Sequence, residues 1–274
     1  MSSTSSPAAP APNAHQSKVL SLRARDRPRP PVSSSESESE TEGLDIVFVP
    51  PHKVSSGRKL RLPAARTGPR PVVPVLTRVD LPVPHGAQPA WYEYGVLPAD
   101  LCMDTDLFHV LLNLHPEEYG KVKMFGKVMD TARYQANYGL RYFYTGMWHE
   151  AEPIPHPYLE RLLQWVCEHS GKSYKQMIVN WYMDGSHYIS AHSDSTKDLV
   201  PHSAIYSFSF GATRNFIIKN REDRGAYGPV NIKLALKEND VVIMGGSMQT
   251  YYKHEVPKVS HSGPRINVTC RLMK

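Results

Sequence analysis

The pattern of apolar and polar residues divides this chain into three parts. Residues 1–85 are dominated by Ser, Pro, Ala and Arg. Apolar residues then recur at helical spacing, as in Leu107, Leu111 and Leu114, and predict helices over about 99–114 and 157–169. Gly171 is expected to end the second helix.

After residue 171 the apolar runs become short and take on strand character. They read QMIVNWYM, HYISAHSD, SAIYSFSFG, RNFIIK, NIKLAL, DVVIMGG and RINVTCR, with turn residues such as Asp184-Gly185 and Gly245-Gly246 between them. Helices followed by closely spaced strands predict an α+β domain whose β part is a sandwich or jelly roll. We assign this domain to residues 86–274.

The segment 1–85 is predicted to be a disordered tail, because its composition buries too little apolar surface to offset the entropy of ordering. It holds a basic stretch, RARDRPRP (23–30), and a Ser/Glu alternation, SSSESESETEG (33–43). The first could contact nucleic acid or act as a nuclear address, and the second suits phosphorylation. The apolar island IVFVP (46–50) could add a strand or bind a protein partner. The alternative for the whole tail is a solvated linker.

Composition narrows the class of protein. A formal charge of +6 and a pI near 9.1 permit nucleic-acid binding without demonstrating it. Three cysteines are too few for a disulfide framework, and no apolar run has the length of a signal peptide core or a membrane span. We therefore expect a soluble, intracellular protein without a membrane partner. We also expect it to be a monomer and to be located in the nucleus.

His192 and Asp194 form the first candidate for chemistry. Side chains two apart on a strand project from the same face, so this imidazole and carboxylate can meet one ion. An H-x-D pair is a weak signal in a chain with 13 histidines, and the third ligand is open, with His254 a sensible candidate. Two histidines and a carboxylate are the ligands of non-haem Fe(II) oxygenases.

The last apolar run, RINVTCR, makes the signal more specific. Arg265, Asn267, Thr269 and Arg271 fall on one face, and the apolar residues between them fall on the other. If the polar face points inward, the two guanidiniums need anionic partners, and a dicarboxylate offers one carboxylate to each. A zinc hydrolase would use the same metal ligands but has no need for paired arginines.

A second run, IVNWYMDG, repeats the alternation. Asn180 and Tyr182 share one face, opposite to Trp181, and their amide and phenol can complete the hydrogen bonds of a dicarboxylate.

These motifs together resemble the AlkB-type nucleic-acid dealkylases over roughly residues 95–274. NWYMDGSHYISAHSD is similar to the family's Asn-x-Tyr…His-x-Asp block, and SFSFGATRNF to its central strand pair. The ending, His254 followed by RINVTCR, is similar to its distal histidine and Arg-x-Asn-x-Thr-x-Arg signature.

The resemblance implies a double-stranded β-helix (jelly roll) fold and Fe(II), 2-oxoglutarate and O2 as cofactor and cosubstrates. It implies oxidative demethylation of bases of the 1-methyladenine and 3-methylcytosine type in DNA, with formaldehyde and succinate released. Iron is assigned to His192, Asp194 and His254, which are thereby the catalytic residues. 2-Oxoglutarate is assigned to Asn180, Tyr182, Arg265, Asn267, Thr269 and Arg271.

The segments VKMFGK (122–127), TARYQANYG (131–139) and RYFYTG (141–146) resemble the nucleotide-recognition lid of the eukaryotic DNA-repair members. In duplex-acting members such a turn inserts an apolar wedge where a base is flipped out. The predicted substrate contacts are Phe125, Gly126, Lys127, Arg133, Tyr142, Tyr144, Ser195 and Arg224. For the aromatic residues among them the alternative is core packing.

Two departures leave the substrate open. Where duplex-acting members carry an acidic cluster after His-x-Asp, this chain has Ser195-Thr196-Lys197, and the basic loop before Arg265 is reduced to EVPKVSHSGP (255–264). RNA or single-stranded DNA is therefore an alternative substrate. A catalytically inactive nucleic-acid-binding module is a third reading, although it would not require an intact triad.

Overall fold

The computed structural model describes residues 76–124, 126–144, 146–221 and 228–274, all of which belong to the unit Ala65–Lys274. The helices in this part of the chain are α1 (Thr105–Leu112), α2 (Pro157–Ser170) and α3 (Met248–Tyr251). The strands are β1 (Thr77–Leu81), β2 (Ala90–Val96), β3 (Lys121–Met124), β4 (Lys127–Asp130), β5 (Tyr134–Tyr138), β6 (Tyr142–Tyr144), β7 (Met147–His149), β8 (Gln176–Tyr182), β9 (Ile189–His192), β10 (Ile205–Gly211), β11 (Arg214–Asn220), β12 (Asn231–Leu236), β13 (Asp240–Gly246), β14 (Tyr252–Val256) and β15 (Arg265–Arg271).

Two antiparallel sheets form the body of the fold. The larger has the order β1-β2-β13-β10-β15-β8-β5, and the smaller has the order β12-β11-β14-β9. Neighbouring strands are mostly far apart in sequence, as expected of a jelly roll rather than of a meander. The β part predicted from the strand runs is confirmed.

The helices begin and end at residues whose chemistry favours a boundary. The first predicted helix, 99–114, is divided into a 3₁₀ turn at Ala99–Leu101 and α1, because the Asp104 carboxylate caps α1 by accepting from Leu107 N at 2.8 Å. α2 begins with Pro157 and ends at Gly171, whose φ of 66° lies in the left-handed region.

The core consists of two apolar layers separated by the larger sheet. The residues of β8 and β15 that point to α1 and α2, such as Trp181 and Val268, join one layer. Alternate residues, such as Ile178 and Tyr182, join the layer between the two sheets. Every residue of β8 and β15 is buried, so the polar face predicted for β15 points into the space between the sheets.

Two short hairpins stand apart from these sheets. β3 pairs with β4, and β6 pairs with β7. A methyl group at Gly146 would lie 3.5 Å from the Lys123 carbonyl oxygen, so the two hairpins are in contact. The intervening segment of the predicted lid contains β5, which is an edge strand of the larger sheet.

The start of the described fold lies before the predicted domain boundary. β1 lies N-terminal to residue 86 and pairs along its whole length with β2, from Thr77–Tyr94 to Leu81–Ala90. The tail prediction for residues 1–75 lies outside the described residues. No helix among the described residues is long and apolar enough to cross a membrane.

Candidate active site

The space between the two sheets contains a cavity lined by residues of both sheets. Its wall combines charged and polar side chains from the larger sheet with histidines from the smaller one. The lining includes Arg133, Tyr142, Asn180, Tyr182, His192, Asp194, Phe216, His254, Arg265, Asn267, Thr269 and Arg271.

Three potential metal ligands meet at one end of this cavity. His192 ends β9, Asp194 follows two residues later, and His254 lies on β14. His254 is the direct cross-strand partner of His192, which explains how a residue 62 positions away reaches the pair. One ligand atom from each residue lies within 4.8 Å of the others, and the two imidazole centroids are 4.3 Å apart.

The histidines are held so that the same nitrogen of each faces the carboxylate. His192 Nδ1 is 2.8 Å from the Ser190 carbonyl oxygen, which leaves Nε2 toward Asp194 at 3.5 Å. The His254 Nε2 lies 3.9 Å from the same carboxylate oxygen, and Phe216 stacks on its ring at 5.4 Å. Burial lowers the pKa of His254 to about 3, so this imidazole is neutral, as a metal ligand must be.

Asp194 is shared between the histidines and an arginine. Its Oδ1 faces the two imidazoles, while Oδ2 accepts from Arg271 Nε at 2.9 Å and lies 2.7 Å from Arg271 Nη2. Burial alone would raise the pKa of this carboxyl, but the Arg271 charge and the hydrogen bond with His192 hold it well below its ordinary value. The carboxylate is therefore ionised at any physiological pH.

Arg265 differs from Arg271 in its partners. Its side chain is 1% exposed, and Nη2 donates to Ser209 Oγ at 2.8 Å, but Nε and Nη1 have no hydrogen-bond partner among the described residues. Tyr182 lies beside it, with its ring centroid 5.1 Å from the guanidinium carbon. Burial lowers the pKa of Arg265. A buried guanidinium with unused donors is a site for an anion.

This contrast corrects the expectation of one ligand carboxylate for each arginine. Arg271 already has a carboxylate partner in Asp194. Sequence alternation could not show this, because both arginines lie on the same face of β15.

The other residues predicted to contact the cosubstrate all line the cavity. Asn180 Oδ1 accepts from Arg133 Nε at 2.7 Å, which turns the Asn180 amide nitrogen away from Arg133. Asn267 donates to Ser207 Oγ and the Phe208 carbonyl oxygen at 2.9 and 2.8 Å, and accepts from Thr269 Oγ1 at 3.2 Å. These contacts place Asn267 in the packing of β15 against β10 as well as in the cavity wall.

The predicted substrate contacts are placed unequally. Tyr142 lines the cavity, with its hydroxyl 3.4 Å from the Ser195 carbonyl oxygen and its ring 5.2 Å from the Arg271 guanidinium carbon. Gly126 and Lys127 lie exposed on the β3–β4 hairpin, and Arg133 is buried against Asn180 and Gln135. Phe125 and Arg224 lie outside the described residues, as does the side chain of Tyr144.

Two buried residues near the site were not predicted from the sequence. Arg214 donates to the carbonyl oxygens of Asp184, His187 and Pro257 at 3.2, 2.9 and 2.6 Å, and so joins the loops after β8 and β14. Gln249 accepts from Asp194 N at 2.9 Å. In the sequence, Arg214 is marked only as a charged residue at the start of the apolar run RNFIIK. The sequence of α3 contains no pattern that would have indicated a role for Gln249.

The three potential metal ligands and the Arg265 guanidinium together indicate which group fits this site. Two imidazoles and one carboxylate suit Fe(II) in oxygenases, and they would also suit zinc. The buried Arg265 donors lie in the same cavity and call for an anion, which zinc hydrolysis does not require. Fe(II) together with 2-oxoglutarate, an acid with a free distal carboxylate, accounts for both features.

Comparison with known proteins supports this assignment. The model of the 2OG-Fe(II) oxygenase superfamily matches residues 115–271. The mouse protein named DNA oxidative demethylase ALKBH2 is 35% identical over 158 residues, which cover 55% of this chain and 66% of the relative. The human protein of that name is 31% identical over 206 residues, covering 68% of this chain and 78% of the relative.

A bovine relative named alpha-ketoglutarate-dependent dioxygenase alkB homolog 3 is 37% identical over 145 residues, covering 51% of each protein. The superfamily match spans the candidate metal ligands and the β15 signature, and so includes the whole cavity wall from β5 to β15. The chain therefore belongs to the 2OG-Fe(II) oxygenase superfamily and is an AlkB-type dioxygenase dependent on Fe(II) and 2-oxoglutarate.

Proposed function

We propose that this protein oxidatively demethylates N-alkylated bases of the 1-methyladenine and 3-methylcytosine type in DNA. The observation that carries the proposal is the cavity that places the His192, Asp194 and His254 ligand atoms in one space with the Arg265 donors that lack a partner in the described part of the chain. The relatives named DNA oxidative demethylase supply the substrate class.

The side chains divide into two groups in this proposal. His192, Asp194 and His254 hold the iron, with Arg271 keeping the carboxylate ionised. Arg265, Tyr182 and the Asn180 amide bind 2-oxoglutarate, and Thr269, Asn267 and Arg271 complete the wall beside it. Bound iron, with 2-oxoglutarate and O2, would supply the oxidation of an N-methyl group, which leaves as formaldehyde, while 2-oxoglutarate is converted to succinate and CO2.

The protein itself contributes orientation and exclusion of water. Arg265 fixes one end of the cosubstrate, and the apolar side chains of Ile178, Phe216 and Met244 close the wall between the polar groups. Fixed polar groups in a water-poor cavity stabilise charge more effectively than solvent does.

The β3–β4 and β6–β7 hairpins are the surface that we propose to contact the nucleic acid. Val128, Met129 and Trp148 are 61%, 46% and 47% exposed on these hairpins. Arg141 lies over the Trp148 ring at 4.5 Å, and Lys197 lies over the Phe143 ring at 5.4 Å. Cations interleaved with aromatic rings suit a phosphate backbone with bases that stack.

The remaining contacts rest on the family resemblance. Gly126, Lys127, Arg133, Tyr142 and Ser195 are proposed to lie along the path of the substrate strand. The same proposal covers Phe125, Tyr144 and Arg224. We also propose that the catalytic domain acts as a monomer in the nucleus and that the N-terminal tail recruits a protein partner.

Single-stranded DNA or RNA is the second candidate substrate. The loop 255–264 has one lysine, Lys258, and its ammonium lies over the Tyr188 ring at 4.7 Å. A loop with one cation provides little charge for the second strand of a duplex.

A comparison of methylated duplex DNA, single-stranded DNA and RNA tests the proposal, with formaldehyde and succinate both measured. We expect formaldehyde from DNA. Succinate without formaldehyde on every methylated substrate would overturn the substrate proposal, and tight nucleic-acid binding without succinate would favour the binding-module reading.

A Phe125→Ala variant separates the two strand states, because a wedge residue is needed only where a base leaves a stack. We expect duplex turnover to fall more than single-strand turnover. Val110→Ala, which removes an exposed apolar side chain from α1, is the matched control. Equal loss on both substrates would contradict the wedge role.

A further inference from the structure

Gln249 makes a direct contact with the residue that supplies the carboxylate of the metal site. It lies in α3, is 9% exposed, and its Oε1 accepts from the backbone N–H of Asp194 at 2.9 Å. Its Nε2 faces the Met244 sulfur at 3.8 Å. Sulfur is a weak acceptor, so the Asp194 N–H is the partner that fixes the orientation of this amide.

The helix that carries Gln249 is held firmly against the N-terminal part of the larger sheet. Ser247 N donates to the Pro89 carbonyl oxygen at 2.8 Å, and its hydroxyl donates to the Gln88 carbonyl oxygen. A methyl group at Gly245 would lie 2.0 Å from the Trp91 ring, so the chain passes here at a distance that a side chain would prevent. The position of α3 is therefore set by contacts outside the cavity.

A second hydrogen bond joins the same two segments. Ser193 Oγ donates to the Tyr252 carbonyl oxygen at 2.7 Å. Tyr252 begins β14, which carries His254 two residues later. The segment 249–254 thus contacts both residues that follow His192, Ser193 through its side chain and Asp194 through its backbone. It also supplies His254, the histidine opposite His192.

We propose that Gln249 is a positioning residue that sets the place of the Asp194 carboxylate relative to His254, and so the metal affinity of the site. Arg271 holds the carboxylate from one side, while Gln249 holds the backbone of the same residue from the other. Partners that orient a metal ligand contribute about 10–100-fold to metal affinity. The inference concerns the metal site alone and does not depend on the proposed nucleic-acid substrate.

The variant Gln249→Met tests this role, since it keeps the length of the side chain and removes the acceptor. The control is Gln176→Met, which removes another buried amide, one that donates to Asn137 Oδ1 at 2.7 Å and does not line the cavity. Co(II) is titrated into the full-length, metal-free protein and followed by its visible absorption bands. The free energy of unfolding without metal is measured in parallel.

We expect Gln249→Met to bind Co(II) about 10–100-fold more weakly and with shifted absorption bands. Gln176→Met should bind Co(II) as the wild type does, even if it is less stable. Wild-type affinity and spectrum in Gln249→Met, at any stability, would overturn the proposal. Should Gln249→Met not fold, Ser193→Ala, which removes the second bond between the segments, is expected to weaken Co(II) binding, and unchanged binding there would overturn it too.

Discussion

One oxygen of the Asp194 carboxylate lies on Arg271, and the other faces both histidines. Arg271 Nη2 and Nε lie 2.7 and 2.9 Å from Oδ2, while His192 Nε2 is 3.5 Å from Oδ1. The pairing keeps a buried carboxylate ionised before any metal arrives. Arg265, six residues earlier on β15, has no such carboxylate, and its Nε and Nη1 have no hydrogen-bond partner among the described residues.

Replacing Arg271 with Met should destabilise the metal-free protein by about 3–5 kcal/mol, because a buried carboxylate is left without its partner. Urea unfolding in the presence of a chelator measures this. In the double variant with Asp194→Asn, the loss should be smaller than the sum of the two single losses. Additive losses would contradict a direct pair.

Replacing Arg265 with Met should weaken the binding of 2-oxoglutarate rather than destabilise the ligand-free protein. The change removes a buried cation whose Nε and Nη1 lack partners among the described residues, so the ligand-free protein is expected to lose little stability. Binding of 2-oxoglutarate should weaken by at least about 30-fold, which corresponds to about 2 kcal/mol. Calorimetric titration of the Mn(II)-loaded protein gives the affinity, and wild-type affinity would exclude Arg265 as the anchor.

The metal-free protein should become less stable as the pH falls from about 6.5 toward 3. Burial lowers the pKa of His254 to about 3, whereas a histidine in an unfolded chain titrates near about 6.5. In that window the unfolded chain binds a proton that the folded protein does not, so acid favours unfolding, by at most about 1.4 kcal/mol per pH unit.

Urea unfolding between pH 4.5 and 8 checks this dependence. His254→Gln should flatten it, while His109→Gln, at an exposed position on α1, should not. An unchanged slope in His254→Gln would contradict the assignment.

Trp148→Ala should raise the KM for a methylated oligonucleotide and leave the KM for 2-oxoglutarate unchanged. Loss of one stacking ring is expected to cost about 1–3 kcal/mol of nucleic-acid affinity. Fluorescence anisotropy with a labelled oligonucleotide measures it, with Val110→Ala as the control for loss of an exposed apolar side chain. Unaltered affinity would remove the β6–β7 hairpin from the proposed interface.

Strand alternation predicted correctly that Arg265, Asn267, Thr269 and Arg271 share one face of β15, because they are polar residues at every second position of an apolar run. The alternation left open whether this face points inward, and the structure shows that it lines the cavity. It predicted Asn180 and Tyr182 on one face of β8 for the same reason. The family resemblance singled out His254, and the structure adds the cross-strand register with His192 that brings the two rings together.

Other features depend on contacts between segments that are distant in sequence. Which arginine pairs with Asp194 is decided by the position of the loop after β9, and Gln249 reaches Asp194 across 55 positions. The periodicity of apolar residues carries no information on which arginine pairs with Asp194 or on the contact between Gln249 and Asp194. The division of the helix predicted at 99–114 follows from one capping carboxylate, Asp104, inside an apolar pattern that continues on both sides.

The most direct measurement is iron-dependent conversion of 2-oxoglutarate to succinate, with formaldehyde release from a methylated oligonucleotide, by the wild type and by His192→Ala and Asp194→Ala. Far-ultraviolet circular dichroism establishes that each variant is folded. We predict equal amounts of both products from the wild type and neither product from the two variants. Iron-dependent succinate formation that persists in both folded variants would contradict the central claim that these residues hold the iron.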